Sequence, residues 1–97
     1  MIERHVTFNV IPGKGKEFET LFKEEYSTAM ARQPGFVSVT LLKEYEKESV
    51  YQMTIRFQSL ETAAAWRDSA DHKALSPKIK ALYKESTVQV YEVIAPK

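Results

Sequence analysis

The stretch Phe57-Gln58-Ser59-Leu60-Glu61 lies where a β-strand pattern changes to a helix pattern. Ser59 is a residue type that caps helix N-termini, and Glu61 falls in the first turn, where a negative charge complements the helix dipole. Trp66, the only tryptophan of the chain, follows in this helix, and His72 comes six residues later. The stretch therefore predicts a strand, a turn and a helix. The helix carries the indole ring of Trp66, and His72 is close to it in the sequence.

Upstream of this stretch, the sequence predicts a strand, a helix and a hairpin. Apolar and polar residues alternate across 2–11, which is the period of a half-buried strand. A helix begins near Lys16 and ends at Pro34-Gly35. Its apolar stripe comprises Phe18, Leu21, Phe22, Ala29 and Met30. Residues 36–45 and 50–57 are rich in β-branched and aromatic residues and predict two strands joined by a short polar link.

Downstream of Ser59, two helices and a last strand are expected. The first helix should turn Leu60, Ala63, Ala64, Trp66 and Ala70 inward. Ser76-Pro77 is a second start signal and predicts a separate helix to about Lys84. This helix should face the core with Ile79, Leu82 and Tyr83. Residues 87–94 return to a strand composition, so the order is β-α-β-β-α-α-β.

This order predicts one α+β domain over residues 1–97. It is typical of the ferredoxin-like split βαβ fold, a four-stranded antiparallel sheet with helices on one face. The other face would carry His5, Thr7, Asn9, Gln52, Thr54 and Arg56, with apolar residues such as Leu42, Tyr91 and Val93 on the outer strands. Such a mixed face is too apolar to be left bare in so small a domain, so we expect a homodimer.

The amino-acid composition indicates which classes of protein this chain can belong to. Hydrophobic residues make up 43%, charged residues 28%, and the net charge is +1, values of an ordinary globular domain that do not favour a nucleic-acid partner. No run of 18 apolar residues is present, so we expect no membrane partner and a cytoplasmic location. Without cysteine, thiolate chemistry and cysteine metal sites are excluded. No two histidines have helical ligand spacing, and we expect no metal.

His72 is the candidate catalytic residue, because imidazole is the side chain whose usual pKa lies nearest neutrality. Asp68 lies one helical turn before it and is a candidate partner. In an unbroken helix, His72 would point about 120° away from Trp66 and lie on a polar surface. The family resemblance described below favours a break in the helix near residues 69–71, which would change this position.

Four further residues are candidates for substrate binding. Trp66 offers a flat aromatic wall beside small alanines, and the alternative is a core tryptophan that fills space. Tyr51, Met53 and Phe8 lie on the apolar rows that face the helices, where each either lines a pocket or packs in the core.

These features together resemble the antibiotic biosynthesis monooxygenase family of small α+β domains. The resemblance rests on Phe57, Ser59, Glu61, Ala65, Trp66, Ser69 and His72, and on the segments Val6-x-Phe8, Pro12-Gly13-Lys14 with Glu17-Phe18, Pro34-Gly35-Phe36 and Tyr91-Glu92-Val93. It implies a dimeric α+β barrel, in which the sheets of two chains close on one another.

The resemblance also implies an activity. It favours a cofactor-independent monooxygenase that oxidises a small hydroxyaromatic or quinol-type molecule with O2, with His72 as base or orienting group and Trp66 as pocket wall. A haem-degrading or signal-processing relative is an alternative, but Asn9 points away from Val6 and Phe8, unlike the first-strand asparagine of the haem-degrading branch. A non-catalytic ligand-binding dimer is a third possibility, since a fold does not determine a function.

Overall fold

The computed structural model describes residues 1–95 of the 97-residue chain. The elements in chain order are β1 Ile2–Val10, α1 Gly15–Leu21, a π-helical turn Phe22–Tyr26, α2 Ser27–Ala31, β2 Phe36–Lys43, β3 Val50–Phe57, α3 Leu60–Asp68, α4 Ala70–Lys80 and β4 Tyr83–Glu92. The predicted order of strands and helices is confirmed. The fourth strand begins four residues earlier than predicted, at Tyr83, and the second ends two residues earlier, at Lys43.

The four strands form one antiparallel sheet in the order β2-β3-β1-β4. β1 lies in the middle, where His5 pairs with Thr54 of β3 and with Gln89 of β4. This is the predicted ferredoxin-like α+β fold.

The core lies between the sheet and the helices. Alternate residues of β3 from Tyr51 to Phe57 are buried, as are Val6, Phe8 and Val10 of β1. Phe18 and Met30 of the first helical segments and Trp66 of α3 cover them, each at most 1% exposed. The strand periodicity therefore predicts the buried face correctly. Within α3, Ala63 and Trp66 are buried as expected, but Leu60 is 61% exposed, because it is the first helical residue and points away from the sheet.

The chain breaks between α3 and α4 at Ser69, not at Ser76. Ser69 has an extended backbone (φ −69°, ψ 155°), and its side chain caps α4 by accepting a hydrogen bond from the His72 N–H at 3.1 Å. The prediction of a new helix at Ser76-Pro77 is therefore wrong, since both residues lie inside α4. Pro77 is exposed, and the buried residues Leu75 and Ile79 on either side of it hold the helix against the core.

At the start of α3, Ser59 caps the helix as predicted. Its side chain accepts a hydrogen bond from the Thr62 N–H at 3.1 Å, and the Thr62 hydroxyl accepts one from the Ser59 N–H at 3.1 Å. These reciprocal bonds form a capping box, which satisfies two otherwise unpaired N–H groups.

The second face of the sheet is not covered by helices. Its central strands carry mainly polar side chains, among them Glu3, which bonds both His5 and Arg56 at 2.5 Å. Leu42 is 47% and Tyr91 44% exposed, and the β2 and β4 registers place both on this face, as predicted. We call it the open face. Within residues 1–95, no helix is both long and apolar enough to cross a bilayer.

Gly35 packs so closely against the capping box that it accepts no side chain. It has a φ of +80°, and a Cβ atom built there would lie 2.5 Å from the Cβ and Cγ2 atoms of Thr62. Gly13 provides a matched comparison, because its φ is +88° but nothing lies within 4 Å of its Cβ position. Alanine at either position would be strained, because the backbone there has a left-handed conformation. Only alanine at Gly35 would also clash with Thr62.

We expect Gly13→Ala to lower the free energy of unfolding by about 1 kcal/mol and Gly35→Ala to lower it by about 2 to 4 kcal/mol. Urea denaturation followed by circular dichroism measures both. Equal losses for the two variants would contradict the close contact between Gly35 and Thr62.

Candidate functional site

Ser69 brings Trp66 and His72 together. Its hydroxyl donates a hydrogen bond to the Trp66 carbonyl oxygen at 2.7 Å and accepts one from the His72 N–H at 3.1 Å. The chain therefore changes direction between the two rings. Their centroids are 5.0 Å apart with an interplanar angle of 85°, so the imidazole and the indole meet edge to face.

Trp66 supports His72 from behind. The indole is 1% exposed and also packs edge to face on Tyr26, with 5.5 Å between ring centroids. Tyr26 in turn lies 6.3 Å from the His72 ring, so the three rings contact one another in a cluster. This packing restricts the position of the imidazole.

A cavity of about 220 Å³ lies beside this cluster, between the sheet and the helices; we call it the His72 cavity. Its apolar lining residues are Val6, Phe8, Met53, Ile55 and Ile79. Its polar lining residues are Arg4, Tyr26, Arg67, His72, Ser76, Lys80, Tyr83 and Ser86. An apolar pocket with several polar groups that converge on it is the usual form of a small-molecule site.

The structure places the five candidate site residues in three different positions. His72, Met53 and Phe8 line the cavity. Trp66 is not among the lining residues and contacts the site through His72. Tyr51 lies outside the cavity, where its hydroxyl donates a hydrogen bond to Glu19 at 2.6 Å.

The polar side chains of the cavity have no protein partners. Among residues 1–95, none of the eight makes a side-chain hydrogen bond to another residue, and the Nε atom of Arg4 is buried with no acceptor. Polar groups inside proteins are normally hydrogen-bonded, because an unpaired one loses the energy of its contacts with water. Of these groups, the Arg4 Nε atom is the one that is buried without a partner, whereas Arg67, Lys80 and Ser86 are exposed to water.

Partial burial and the charges around the cavity favour the neutral form of His72. Partial burial lowers the pKa of His72 below its usual value, and the positive charges of Arg4, Arg67 and Lys80 lower it further. Asp68 opposes these effects, but its carboxylate makes no hydrogen bond to the imidazole within the described residues. A neutral imidazole has a free lone pair that can accept a proton, as a general base must.

Tyr26 is a second polar group with a defined state. Burial raises its pKa to about 12, and the charge of Arg4 opposes the rise. The phenol therefore keeps its proton at neutral pH and is a hydrogen-bond donor beside the cavity.

The three cationic residues of the cavity were missed by the sequence analysis. Arg4 could have been recognised in the sequence, because it interrupts the apolar row formed by Ile2, Val6 and Phe8 on the buried face of β1. Arg67 and Lys80 lie on amphipathic helices, where basic residues are ordinary, and only the folded chain brings them together.

Other parts of the surface offer less chemistry. A larger and more open depression of about 600 Å³ lies between α1 and the end of α4, and it is lined by Lys16, Glu17, Thr20, Leu21, Glu25, Lys78, Ala81 and Leu82. It contains no aromatic ring and no histidine. Residues 1–95 contain no cluster of three or more histidines and carboxylates that could hold a metal ion.

The family model for antibiotic biosynthesis monooxygenases matches residues 1–78, which include β1 to β3, α3 and most of α4. The chain belongs to this family. A search among curated proteins finds no significant match.

Solved structures share the fold of this antibiotic biosynthesis monooxygenase domain. SnoaB, a cofactor-independent oxygenase from Streptomyces nogalater, is 24% identical with a TM-score of 0.88, over 98% of this chain and 94% of that one. A candidate antibiotic biosynthesis monooxygenase from Caulobacter crescentus is 20% identical with a TM-score of 0.87, over 97% and 90% of the two chains. A conserved protein from Methanosarcina mazei is 20% identical with a TM-score of 0.83, over 93% and 89%. At these identities the likeness shows the fold.

The lowered pKa of His72 can be measured directly. We expect the imidazole to titrate below the usual value of about 6.5 in an NMR pH titration. Arg4→Gln should raise the pKa of His72, because it removes the largest of the three positive influences. Lys47→Gln, in the loop between β2 and β3, is the control and should leave the pKa unchanged. A pKa of His72 at or above the usual value in the parent protein would contradict this account of the site.

Proposed function

We propose that this protein is a cofactor-independent monooxygenase that oxidises a small hydroxyaromatic or quinol-type molecule with O2 in the His72 cavity. The observation that carries the proposal is an imidazole held by packed rings beside a cavity that also contains a buried, unpaired Arg4 donor. Membership of the family and the shared fold with a cofactor-independent oxygenase support it.

In this proposal His72 acts as the general base. The neutral imidazole accepts the proton of the substrate hydroxyl, and the product of that step is an arenolate anion. The positive charges of Arg4, Arg67 and Lys80 stabilise the anion, because opposite charges attract. Trp66 is a positioning residue, since it holds His72 and does not line the cavity.

The arenolate then supplies the electrons that O2 needs. It transfers one electron to O2, and the resulting superoxide and aryloxyl radical combine to form a carbon–oxygen bond. The His72 imidazolium returns its proton to the peroxide, which loses water when its O–O bond breaks and the proton of the ring C–H group leaves, and a carbonyl group remains on the ring. Overall the ring gains one oxygen atom and loses two hydrogens, while the second oxygen atom leaves as water. The substrate provides all four electrons, so the balance requires no external reductant.

The cavity volume limits the size of the substrate. A cavity of about 220 Å³ is small and suits a substituted single ring or part of a fused pair. The haem-degrading alternative is less well supported, because a porphyrin would extend well outside this space. Asn9 also lies on the open face, where it donates a hydrogen bond to Glu85 at 2.9 Å.

A ligand-binding protein without catalytic activity is the second candidate. The unpartnered polar side chains favour it as much as they favour an enzyme, because they indicate a ligand and not a reaction. Consumption of O2 with a bound ligand separates the two candidates.

We also propose that two chains associate through their open faces, as the family resemblance implies. Leu42 and Tyr91 are exposed there, and a chain of this size gains stability from burying such a face. Two sheets facing one another would form the α+β barrel, while the His72 cavity lies on the opposite side of each sheet.

The enzyme proposal predicts a specific loss of activity. With dihydroxynaphthalene as the first substrate tested, His72→Asn should lower the rate of O2 consumption by about 10² to 10⁴-fold, which is the usual range for loss of a general base. His5→Asn is the matched control, because it changes the other histidine of the chain, on the open face. Trp66→Phe should lower the rate less than His72→Asn.

An oxygen electrode measures the rate, and mass spectrometry with isotope-labelled O2 should find one labelled oxygen atom in the product. Equal rates for His72→Asn and the parent protein would show that His72 is not the base. Saturable binding without O2 consumption across a panel of hydroxyarenes would favour the non-catalytic candidate.

The dimer proposal predicts a mass near twice the 11.2 kDa of one chain in light scattering at tens of micromolar. Leu42→Glu should convert the dimer to a monomer, because it places a charge in the proposed interface. Leu60→Glu is the control, since Leu60 is 61% exposed on α3 and lies away from that face. A monomeric parent protein would contradict the proposal.

A further inference from the structure

Arg4 occupies a position where the strand pattern requires an apolar residue. The side chains of β1 that face the helices are those of Ile2, Arg4, Val6, Phe8 and Val10, and the other four are buried and apolar. Arg4 therefore carries its guanidinium into the layer between sheet and helices, where it lines the His72 cavity.

The guanidinium of Arg4 lacks a counter-charge. Its Nε atom is buried without a hydrogen-bond partner, and no carboxylate of residues 1–95 lies within 4.0 Å of its nitrogens. A partly buried charge without a partner is costly, and arginine does not relieve the cost by losing its proton at physiological pH. The fold therefore retains a charge that its own residues do not neutralise.

Two further cations share the cavity with Arg4. Arg67 and Lys80 also line it and form no ion pair with a carboxylate of the described chain. Several basic residues elsewhere do form such pairs, namely Lys14, Arg32, Lys47, Arg56 and Lys78. The thirteen lining residues of the cavity include no aspartate or glutamate. Three positive charges without a carboxylate partner therefore line the same cavity.

We propose that the His72 cavity selects hydroxyarenes that already carry a carboxylate, and that Arg4 is the residue that holds this carboxylate. The identity of the ligand as a hydroxyarene rests on the proposed function, whereas the preference for an anion rests on the cavity itself. Arg67 and Lys80 attract the anion to the cavity and share its charge.

A carboxylate fits these observations better than a neutral group. The guanidinium has a planar set of donors that matches the two oxygens of a carboxylate, and Arg4 has at least one donor free and buried. A neutral ligand would remove water from Arg4 and leave its charge unpaired. A neutral hydroxyarene should therefore bind less tightly than an anionic one of the same shape.

This arrangement gives the two ends of the ligand different roles. The carboxylate pairs with Arg4 on β1, and the hydroxyl group lies toward His72 on α4. Arg4 then determines which molecules bind, and His72 acts on those that do.

The test compares two ligands of nearly equal shape, meta-hydroxybenzoate and meta-hydroxybenzamide. The first is an anion and the second is neutral at pH 7. Trp66 reports binding through its fluorescence, because it is the only tryptophan and its ring lies 5.0 Å from that of His72. We expect the parent protein to bind the benzoate at least tenfold more tightly than the benzamide, with a preference that falls as salt rises.

Arg4→Met should remove this preference by weakening benzoate binding and leaving benzamide binding unchanged. Arg4→Lys should keep part of it. Arg32→Met makes the same chemical change at a residue paired with Asp71 outside the cavity, and it should keep all of the preference. Arg4→Met should also raise the melting temperature, since it replaces a partly buried, unpaired charge with an apolar side chain. Should it fail to fold, the salt dependence in the parent protein and the Arg4→Lys variant decide the matter.

Equal affinity for the two ligands, no binding of either at millimolar concentration, or a preference that survives Arg4→Met would each overturn the proposal. Two further results distinguish failure of this anion-site proposal from failure of the proposed function. A preference for the benzoate without O2 consumption by any hydroxyarene would retain the anion site and remove the enzyme. O2 consumption that depends on His72 without any preference for anions would do the reverse.

Discussion

The hydroxyl group of Ser69 makes two hydrogen bonds in opposite directions along the chain, one to the end of α3 and one to the start of α4. In a continuous helix, the six residues from Trp66 to His72 would separate the two side chains by about 120° around the axis. Because the chain turns at Ser69, the indole and imidazole rings meet instead. The packing of Tyr26 on both rings and the position of α4 beside the sheet depend on that turn.

The domain contains two regions with opposite physical character. Around Phe18, Met30 and Phe57 the core is dry, apolar and fully buried. Around Arg4 and His72 the same layer holds unpaired polar groups and a cavity. Filling that cavity with apolar side chains would make a small domain more stable, since each buried methylene contributes about 0.8 kcal/mol. The arrangement is consistent with a site in which ligand binding supplies part of the stabilisation that the empty protein lacks.

Much of the fold can be predicted from the sequence, because it depends on local patterns. The alternation in β1 and β3, the cap at Ser59 and the stop at Pro34-Gly35 each act over a few residues, and each is found where it was expected. The prediction of a helix start at Ser76-Pro77 was wrong, and the reason lies in tertiary packing, which local sequence patterns do not reveal. Burial of Leu75 and Ile79 on one face outweighs the hydrogen bond lost at the proline.

The site was only partly predictable, because it depends on contacts between distant segments. His72 could be identified from its chemistry, and Phe8 and Met53 from their strand faces. The different positions of Trp66 and Tyr51 depend on how helices pack on the sheet, which spacing does not reveal. The positive charge of the cavity comes from β1, α3 and α4 together, and only Arg4 departs from its local pattern.

The π-helical turn at Phe22–Tyr26 also has a consequence for comparisons of this chain with its relatives. In a regular α-helix, the eight residues from Phe18 to Tyr26 would rotate the tyrosine about 80° beyond the phenylalanine. The wider turn accommodates an extra residue, and both side chains are buried. A helix can accommodate the insertion of a single residue by forming such a turn, without a loop. A relative with a regular helix here would therefore be one residue shorter, and a sequence alignment without a gap in this turn would match Tyr26 to the wrong residue.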